Sequence, residues 1–483
     1  MYSDVGLLAF IVLVAGISVV LVLYRYCTHP LANVPGPLLA KFTNARFLYH
    51  AWKGDLHLDH LRCHERYGPV YRSGPNRVVF NSLTAVSAIY SADRTIRKSD
   101  GYTSHPWTRH RIPSLFNCVD PVWASLKKRT IRPATTLTAL RLHHASVEDN
   151  VETLVGLIKK GQPQDLSELG FYYALDVISQ SIFGESFRTM EDPTHRWMTV
   201  SLERGNRHMY LHLAWPSLFQ RLGLFLDVEP LTYPQFRRES RLFLELCENS
   251  LALGTMGSKS SIFAMMKREL PKGVTDEELH VDAYSFMRGG GDMVAVTIAA
   301  TMFYVMQDSR ILRRLQREIR TTFVDEPPTL GPELDGCVYL RACIEEALRM
   351  APPGPGVFWR QASSCLTIDG IRLPAGIEFG VSIYAFHYNS SIFDDPEVYK
   401  PERMMDSAQR GALIPFLRGF RACPAQNLAF ASILLPVARF IWQFELVGAP
   451  GNGSPGEKKL FPQVDVFGSS IQGPIVSFQP RIG

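Results

Sequence analysis

From Val5 to Tyr24 the chain carries no charge and nearly every side chain is apolar. As a helix rising about 1.5 Å per residue, such a run extends about 30 Å, the thickness of a bilayer's hydrocarbon core. In lipid, only a helix can satisfy this segment's backbone from within. A cleaved signal peptide is the competing reading, but Asp4 stands where a basic region is needed and no small-residue cleavage site follows. The sequence thus predicts a retained single-pass anchor. Arg25, Lys41 and Arg46 lie after it, which places the bulk of the chain in the cytosol. Next comes Pro30-Leu31-Ala32-Asn33-Val34-Pro35-Gly36-Pro37, a stretch that cannot be helical and reads as a stiff hinge. The expected organisation is an anchor over 5–24, a hinge over 28–37 and a folded unit over 38–483.

The balance of 46% hydrophobic and 20% charged residues is that of a globular protein and excludes disorder. A net charge of +5 is modest, and apart from Lys127-Lys128-Arg129 the basic residues are scattered, so no nucleic-acid surface is expected. Eight cysteines, at 27, 63, 118, 247, 337, 343, 365 and 423, include no C-x-x-C pair. That pattern is neither a disulfide framework nor a structural zinc site, and suits small buried side chains in a reducing compartment.

Apolar spacing predicts a mainly α fold with a smaller β portion. Helices are expected over Val151–Lys160, Tyr172–Phe183, Phe236–Leu253 and Val338–Met350, the last ending at Pro352-Pro353. A long helix from about Asp276 to Gln307 is interrupted by Gly289-Gly290-Gly291. Each glycine costs about 1 kcal/mol in a helix interior, so three together suggest that something approaches the backbone. Val78-Val79-Phe80 reads as a strand. Leu366-Thr367-Ile368 and Ile371-Arg372-Leu373 read as a hairpin about Asp369-Gly370.

One cysteine has a context that asks for more than packing. In Phe416-Leu417-Arg418-Gly419-Phe420-Arg421-Ala422-Cys423-Pro424-Ala425, Cys423 stands just ahead of a helix beginning near Gln426. Backbone N–H groups and the dipole at a helix start stabilise a thiolate, the form that binds metal. Gly419 permits a close turn, Arg421 can meet an anion, and Phe416 can lie flat against a large ring. A lone cysteine more commonly is a buried structural residue, so the segment alone leaves both possibilities.

The segment resembles the haem-binding signature of the cytochrome P450 family, Phe-x-x-Gly-x-Arg-x-Cys-x-Gly, with Phe416, Gly419, Arg421 and Cys423 in place. Ala425 replaces the final glycine, and bulky Phe420 departs from the family's habit. Other motifs follow in the family's order: Glu346-x-x-Arg349 before a Pro-Pro, and Pro401-Glu402-Arg403-Met404. The resemblance implies that Cys423 is the proximal ligand of a haem b. It also implies that Glu346, Arg349 and Arg403 form a buried charge triad supporting the cysteine loop. Glu185 and Arg188 share the i,i+3 spacing but read as a solvated pair. Haem propionates are expected to meet Arg421, Arg360 and a third basic residue. Trp123-Ala124-Ser125-Leu126-Lys127 places that residue at Lys127, whereas alignment on Pro133 places it at Lys128.

The family's central helix carries a small residue, glycine, any residue, an acid, then an alcohol, and the last two relay protons. Here Gly290 and Asp292 are kept, but Met293 holds the alcohol position and Val294 the next. Methionine has no proton to give, and Thr297 lies a full turn further on. Three outcomes remain open: ordinary oxygenation with the hydroxyl supplied by substrate or water, redox-neutral work such as isomerisation, dehydration or cyclisation, or a haem binder without chemistry.

The resemblance further implies the family's fold, preceded here by the transmembrane helix, in the endoplasmic reticulum membrane. Electrons would come from a separate NADPH-dependent flavoprotein reductase. The hinge and Gly68-Pro69-Val70-Tyr71 resemble filamentous-fungal enzymes of secondary metabolism, whose substrates are apolar terpenoids, polyketides or alkaloids. By position, Tyr102 to Phe116, His208 to Phe225, Ala295, Val296, Val357 and the stretch around Phe467 should line the pocket. The aromatic-rich His208 to Phe225 is also a candidate for dipping into the membrane surface.

Overall fold

A computed structural model describes residues 28–91, 95–104, 112–158, 162–219, 236–257, 260–448 and 459–481, with scattered positions between 12 and 27. Most of the predicted anchor, Arg25, and parts of the 102–116 and 208–225 stretches lie outside the described residues. Those positions of 12–27 that are described are helical and exposed. Among the described residues, the one helical run long and apolar enough to cross a membrane is Asp276–Gln307. It is internal, and 72% of its apolar window is buried in the protein, so it is a core helix.

The twelve strands among the described residues form four sheets. The largest has the order β1 (Val70–Gly74), β2 (Arg77–Phe80), β8 (Glu378–Val381), β5 (Arg360–Ala362) and β3 (Ile96–Lys98). Only the β2–β8 pairing is parallel; the others are antiparallel. A smaller sheet joins β4 (Pro163–Asp165), β12 (Ile475–Pro480) and β9 (Phe444–Gly448). The expected hairpin about Asp369-Gly370 is present as β6 (Leu366–Ile368) and β7 (Ile371–Leu373), with both turn residues at positive φ. The other two-stranded sheet is the hairpin of β10 (Gln463–Val466) with β11 (Gly468–Ile471).

Ten helices position the site. They are α1 (Ala45–Lys53), α2 (Leu56–Tyr67), α3 (Pro121–Ile131), α4 (Leu166–Phe183), α5 (Trp197–Ala214), α6 (Phe236–Gly257), α7 (Asp276–Gly291), α8 (Met293–Gln307), α9 (Val338–Met350) and α10 (Gln426–Gln443). Their starts follow local chemistry. Asp120 accepts from the N–H groups of Val122 and Trp123 with Pro121 at the first turn of α3, and Thr275 with Glu278 closes a capping box on α7. In the interior, α8 packs against α4, α9 and α10, and all four contribute to one large apolar core.

The glycine run acts differently from the expectation. The helix is broken not at the glycines but at Asp292, which separates α7 from α8. A Cβ on Gly290 would stand 2.8 Å from the Ile178 side chain, and one on Gly291 would stand 3.0 Å from Leu175. What approaches the backbone at these two positions is therefore α4. Gly289 alone opens on free space.

Candidate active site

A cavity of about 810 Å³ lies between α7–α8 on one side and the loop before α10 on the other. That loop folds back on itself. Cys423 N–H donates to the Phe416 carbonyl at 2.9 Å, and Leu417 and Gly419 take positive φ, 57° and 65°. Gly419 is pressed against the backbone of Tyr90 and Ser91 so closely that a Cβ would clash. Phe416 packs on Phe430 of α10 with ring centroids 5.4 Å apart, and Phe416 and Cys423 both line the cavity. Cys423 is accessible to solvent where it lines the cavity, while protein crowds its thiol. Burial pushes it up, while the Ala425 backbone N–H at the start of α10 and the charge of Lys128 pull it down.

Of the six cations that line the same cavity, four repel one another: Lys98 at the end of β3, Lys128 on α3, Arg360 on β5 and Arg421. None of these four has a carboxylate within ion-pair reach among the described residues. Lys98 is held by the Phe116 carbonyl and lies 4.2 Å over its ring. Lys128 donates to the Phe420 carbonyl, and both Lys128 and Arg421 lie 5.1 Å over the Phe420 ring. The unusual bulk at 420 is thus a platform for two cations. One nitrogen of Arg360 and one of Arg421 are buried without a hydrogen-bond partner. Burial first, and then mutual repulsion, holds Lys98 far below its ordinary value, and burial brings Arg421 down to about 10. Buried cations with no counter-charge call for an anionic ligand.

The two candidate lysines are separated by the phase of α3. Lys128 faces the cavity, whereas Lys127 is wholly buried on the other side, 3.0 Å from Asp282 and 3.8 Å from Glu278. Trp123 likewise donates to Glu278, at 2.9 Å. Lys98 was not singled out from the sequence. Its signal lies in pairing: it faces Arg360 directly across β3–β5, a like-charge pair that is unfavourable without an anion between them.

Behind the loop, Arg349 grips Glu346 with two hydrogen bonds of 2.9 and 2.8 Å, and Arg403 Nε stands 3.3 Å from the same carboxylate. Glu346 and Arg349 are fully inaccessible. The remaining donors reach backbone carbonyls: Arg349 bonds His387 and Val398, and Arg403 bonds Asp394 and Asp395. These three charges are satisfied by one another and by the chain. The Glu185–Arg188 pair does not form; Arg188 pairs instead with Glu191 at the surface.

On the opposite wall, Asp292 and Met293 both line the cavity. Asn206 of α5 donates to one Asp292 oxygen at 2.7 Å, while the other is buried without a partner. Burial pushes this carboxyl up to about 6. Thr297 lines the cavity too, but its hydroxyl donates to the Met293 carbonyl at 2.8 Å. Of the expected pocket residues, Ser114, Leu115, Phe116, Met209 and Phe467 line the cavity, together with Phe358 and Asn206. Ala295, Val296, Val357 and Tyr102 are buried in packing and do not line it.

A thiol on one wall and four cations without a counter-charge at the same cavity fit an iron-bearing ring with two carboxylates. A family model for cytochrome P450 matches residues 34–464, and the chain belongs to that family. Cytochrome P450 monooxygenase AKT7 of Alternaria alternata is 30% identical, covering 91% of this chain and 88% of that protein. Cytochrome P450 monooxygenase poxM of Penicillium oxalicum is 31% identical over 95% and 92%, and atnE of Emericella nidulans, likewise a cytochrome P450 monooxygenase, 27% over 95% and 93%. The protein is an oxidoreductase, a haem monooxygenase. The family uses haem iron, with NADPH-derived electrons delivered through a reductase partner, and acts on small molecules.

Proposed function

We propose that this enzyme oxidises an apolar small molecule of secondary metabolism, a terpenoid, polyketide or alkaloid, with dioxygen and NADPH-derived electrons from a flavoprotein reductase. The observation that carries the reading is the pairing of the Cys423 thiol with four cations that lack a counter-charge around one cavity. Cys423 would ligate the iron, and Lys98, Lys128, Arg360 and Arg421 would hold the propionates. When bound, the haem supplies oxygen activation, which a thiolate ligand favours by pushing electron density onto the iron. Asp292, poised near neutrality and steadied by Asn206, is the residue placed to hold and pass a proton. Phe116, Phe358 and Phe467 give an apolar substrate a wall to pack on.

The direct test is the difference spectrum of the reduced protein with and without carbon monoxide, beside Cys423→Ala. A thiolate-type band that vanishes in the variant is the expected result; a wild type that folds without haem sinks the reading. Redox-neutral chemistry is a second reading, favoured by Met293 and by the commitment of the Thr297 hydroxyl to its own helix. Label from dioxygen in the product supports oxygenation, whereas product formed without oxygen or an electron donor supports the alternative.

The same reading places the enzyme on the endoplasmic reticulum membrane, held by Val5–Tyr24 with the folded unit in the cytosol. Removal of residues 1–27 should shift the protein from the carbonate-resistant membrane fraction. Unchanged fractionation would show that residues 1–27 are not what holds the protein there.

A further inference from the structure

Across the cavity from Cys423, one wall depends on a turn that nothing in the site so far described explains. Between β10 and β11 the chain reverses over Asp465–Gly468, and Phe467 sits there at φ 79°, in the left-handed region that a bulky residue rarely adopts. Its ring meets those of Phe358 at 5.6 Å, Phe116 at 5.7 Å and Tyr210 at 5.8 Å. Three of these four rings line the cavity. Gly468, the next residue, is wedged against the acid of the opposite helix. A Cβ there would stand 2.6 Å from an Asp292 oxygen and 3.1 Å from the Asn206 amide.

The conformation is held by Asp465, which is wholly buried and does not touch the cavity. One carboxylate oxygen accepts from Phe467 N–H at 3.2 Å and the other from Tyr210 O–H at 3.0 Å. The backbone N–H of His57 also faces the carboxylate, and Asp465's own N–H donates to the Gly54 carbonyl at 2.8 Å. Among the described residues, no lysine or arginine pairs with it. The nearest ring nitrogen, Nδ1 of His57, is 3.8 Å away, and burial keeps that imidazole neutral, at about 4. A buried carboxylate surrounded by neutral donors is costly. Here its two oxygens gather donors from α2, α5 and the turn itself, which no apolar side chain can do.

We infer that Asp465 is a positioning residue for substrate selection: it locks the turn that presents Phe467 to the cavity, and so sets which aromatic or apolar groups the distal wall accepts. The inference rests on the haem-thiolate reading only in using the haem as a reporter. Phe467 is the contact and Asp465 acts through it. Tyr210 ties the same carboxylate to α5, the helix that also supplies Asn206 to Asp292.

The experiment uses the full-length holoenzyme and two spectral probes, imidazole and 1-phenylimidazole, which bind the iron alike and differ by one phenyl ring. An aromatic contact of ordinary strength corresponds to about a fivefold change in affinity. Asp465→Ala should weaken 1-phenylimidazole about fivefold while moving imidazole less than about twofold. Phe467→Ala should do the same, and the double variant should lose no more than either alone. Asp465→Asn, which keeps an acceptor for Phe467 N–H, should restore most of the affinity.

Equal weakening of both probes, additive losses in the double variant, or unchanged discrimination in Asp465→Ala would each overturn the assignment. Should Asp465→Ala fail to assemble with haem, Tyr210→Phe decides. It keeps the ring and removes one donor, so discrimination must fall there, and unaltered discrimination overturns the proposal. Failure of the haem-thiolate reading itself would show separately, as a wild type without the carbon monoxide band.

Discussion

The two walls that face each other across the cavity are built on opposite terms. On the cysteine side, the Glu346, Arg349 and Arg403 charges are paired with one another and with backbone carbonyls, and the loop is closed by Cys423 N–H on Phe416. On the other side, Asp292 keeps an unpartnered oxygen, Met293 stands where the family has an alcohol, and Phe467 is held in a strained turn. The triad behind the cysteine loop satisfies its charges internally. The groups that face a ligand do not: Arg360 and Arg421 each keep an unpaired nitrogen, and Asp292 an unpaired oxygen.

The sharpest way to break that contrast is to spoil the satisfied side. Glu346→Ala strands two buried guanidinium groups, which costs about 3–5 kcal/mol. The expected result is loss of the haem-loaded protein or a large fall in its thermal midpoint. A stable, fully loaded variant would mean that the triad is dispensable here. Lys98→Met probes the rim, with effects of opposite sign in two states. Removing one of four mutually repelling cations should raise the melting temperature of the haem-free protein. It should also speed haem loss about severalfold, as expected for a partner worth about 1 kcal/mol. If both states shift in the same direction, Lys98 does not meet the propionates.

The cysteine side was also the legible one. Phe416, Gly419, Arg421 and Cys423 fall within eight residues, and Glu346 and Arg349 within one helical turn, so spacing along the chain is nearly spacing in space. Elsewhere, legibility failed where position depends on the phase or register of an element. Lys127 and Lys128 differ by about 100° around α3, and only packing sets that rotation. Lys98 opposes Arg360 because β3 pairs with β5 across more than 260 residues. Gly290 matched a motif at the reacting centre, yet the nearest neighbour of its absent side chain is Ile178 of α4. Asp465 gave little local signal, because only Phe467 is near in sequence and its other partners, Tyr210 and Gly54, arrive from separate segments.

On the unsatisfied wall, Met293→Thr tests whether the missing alcohol limits the reaction. If proton delivery is limiting, the variant should couple more of its electron use to product, by about two- to tenfold in the product-to-NADPH ratio, at the low end of what a positioned proton donor contributes. The new hydroxyl must reach the cavity rather than copy Thr297 and bond to its own helix. Unchanged coupling would show that substrate or water already fills the role, and that the departure at 293 serves shape rather than chemistry.

The smallest effect belongs to the turn behind that wall, and its sign follows from burial. Burial raises the folded-state value of Asp465 from 3.8 to about 7. Between those values the folded protein binds a proton that the unfolded chain releases. The contribution to stability is therefore fully present below about pH 4 and lost as pH rises through 7. The facing groups do not reverse this over the pH 5 to 8 interval of the test: His57, lowered to about 4, and Tyr210 stay neutral there, and Asp55 adds negative charge that works in the same direction. Asp465→Asn removes the term. Its melting temperature relative to wild type should therefore rise from pH 5 to pH 8, by about 1–3 °C for a domain of this size. A difference that is flat with pH would mean that Asp465 is paired with a charge after all, and that the turn presenting Phe467 is as fully compensated as the triad.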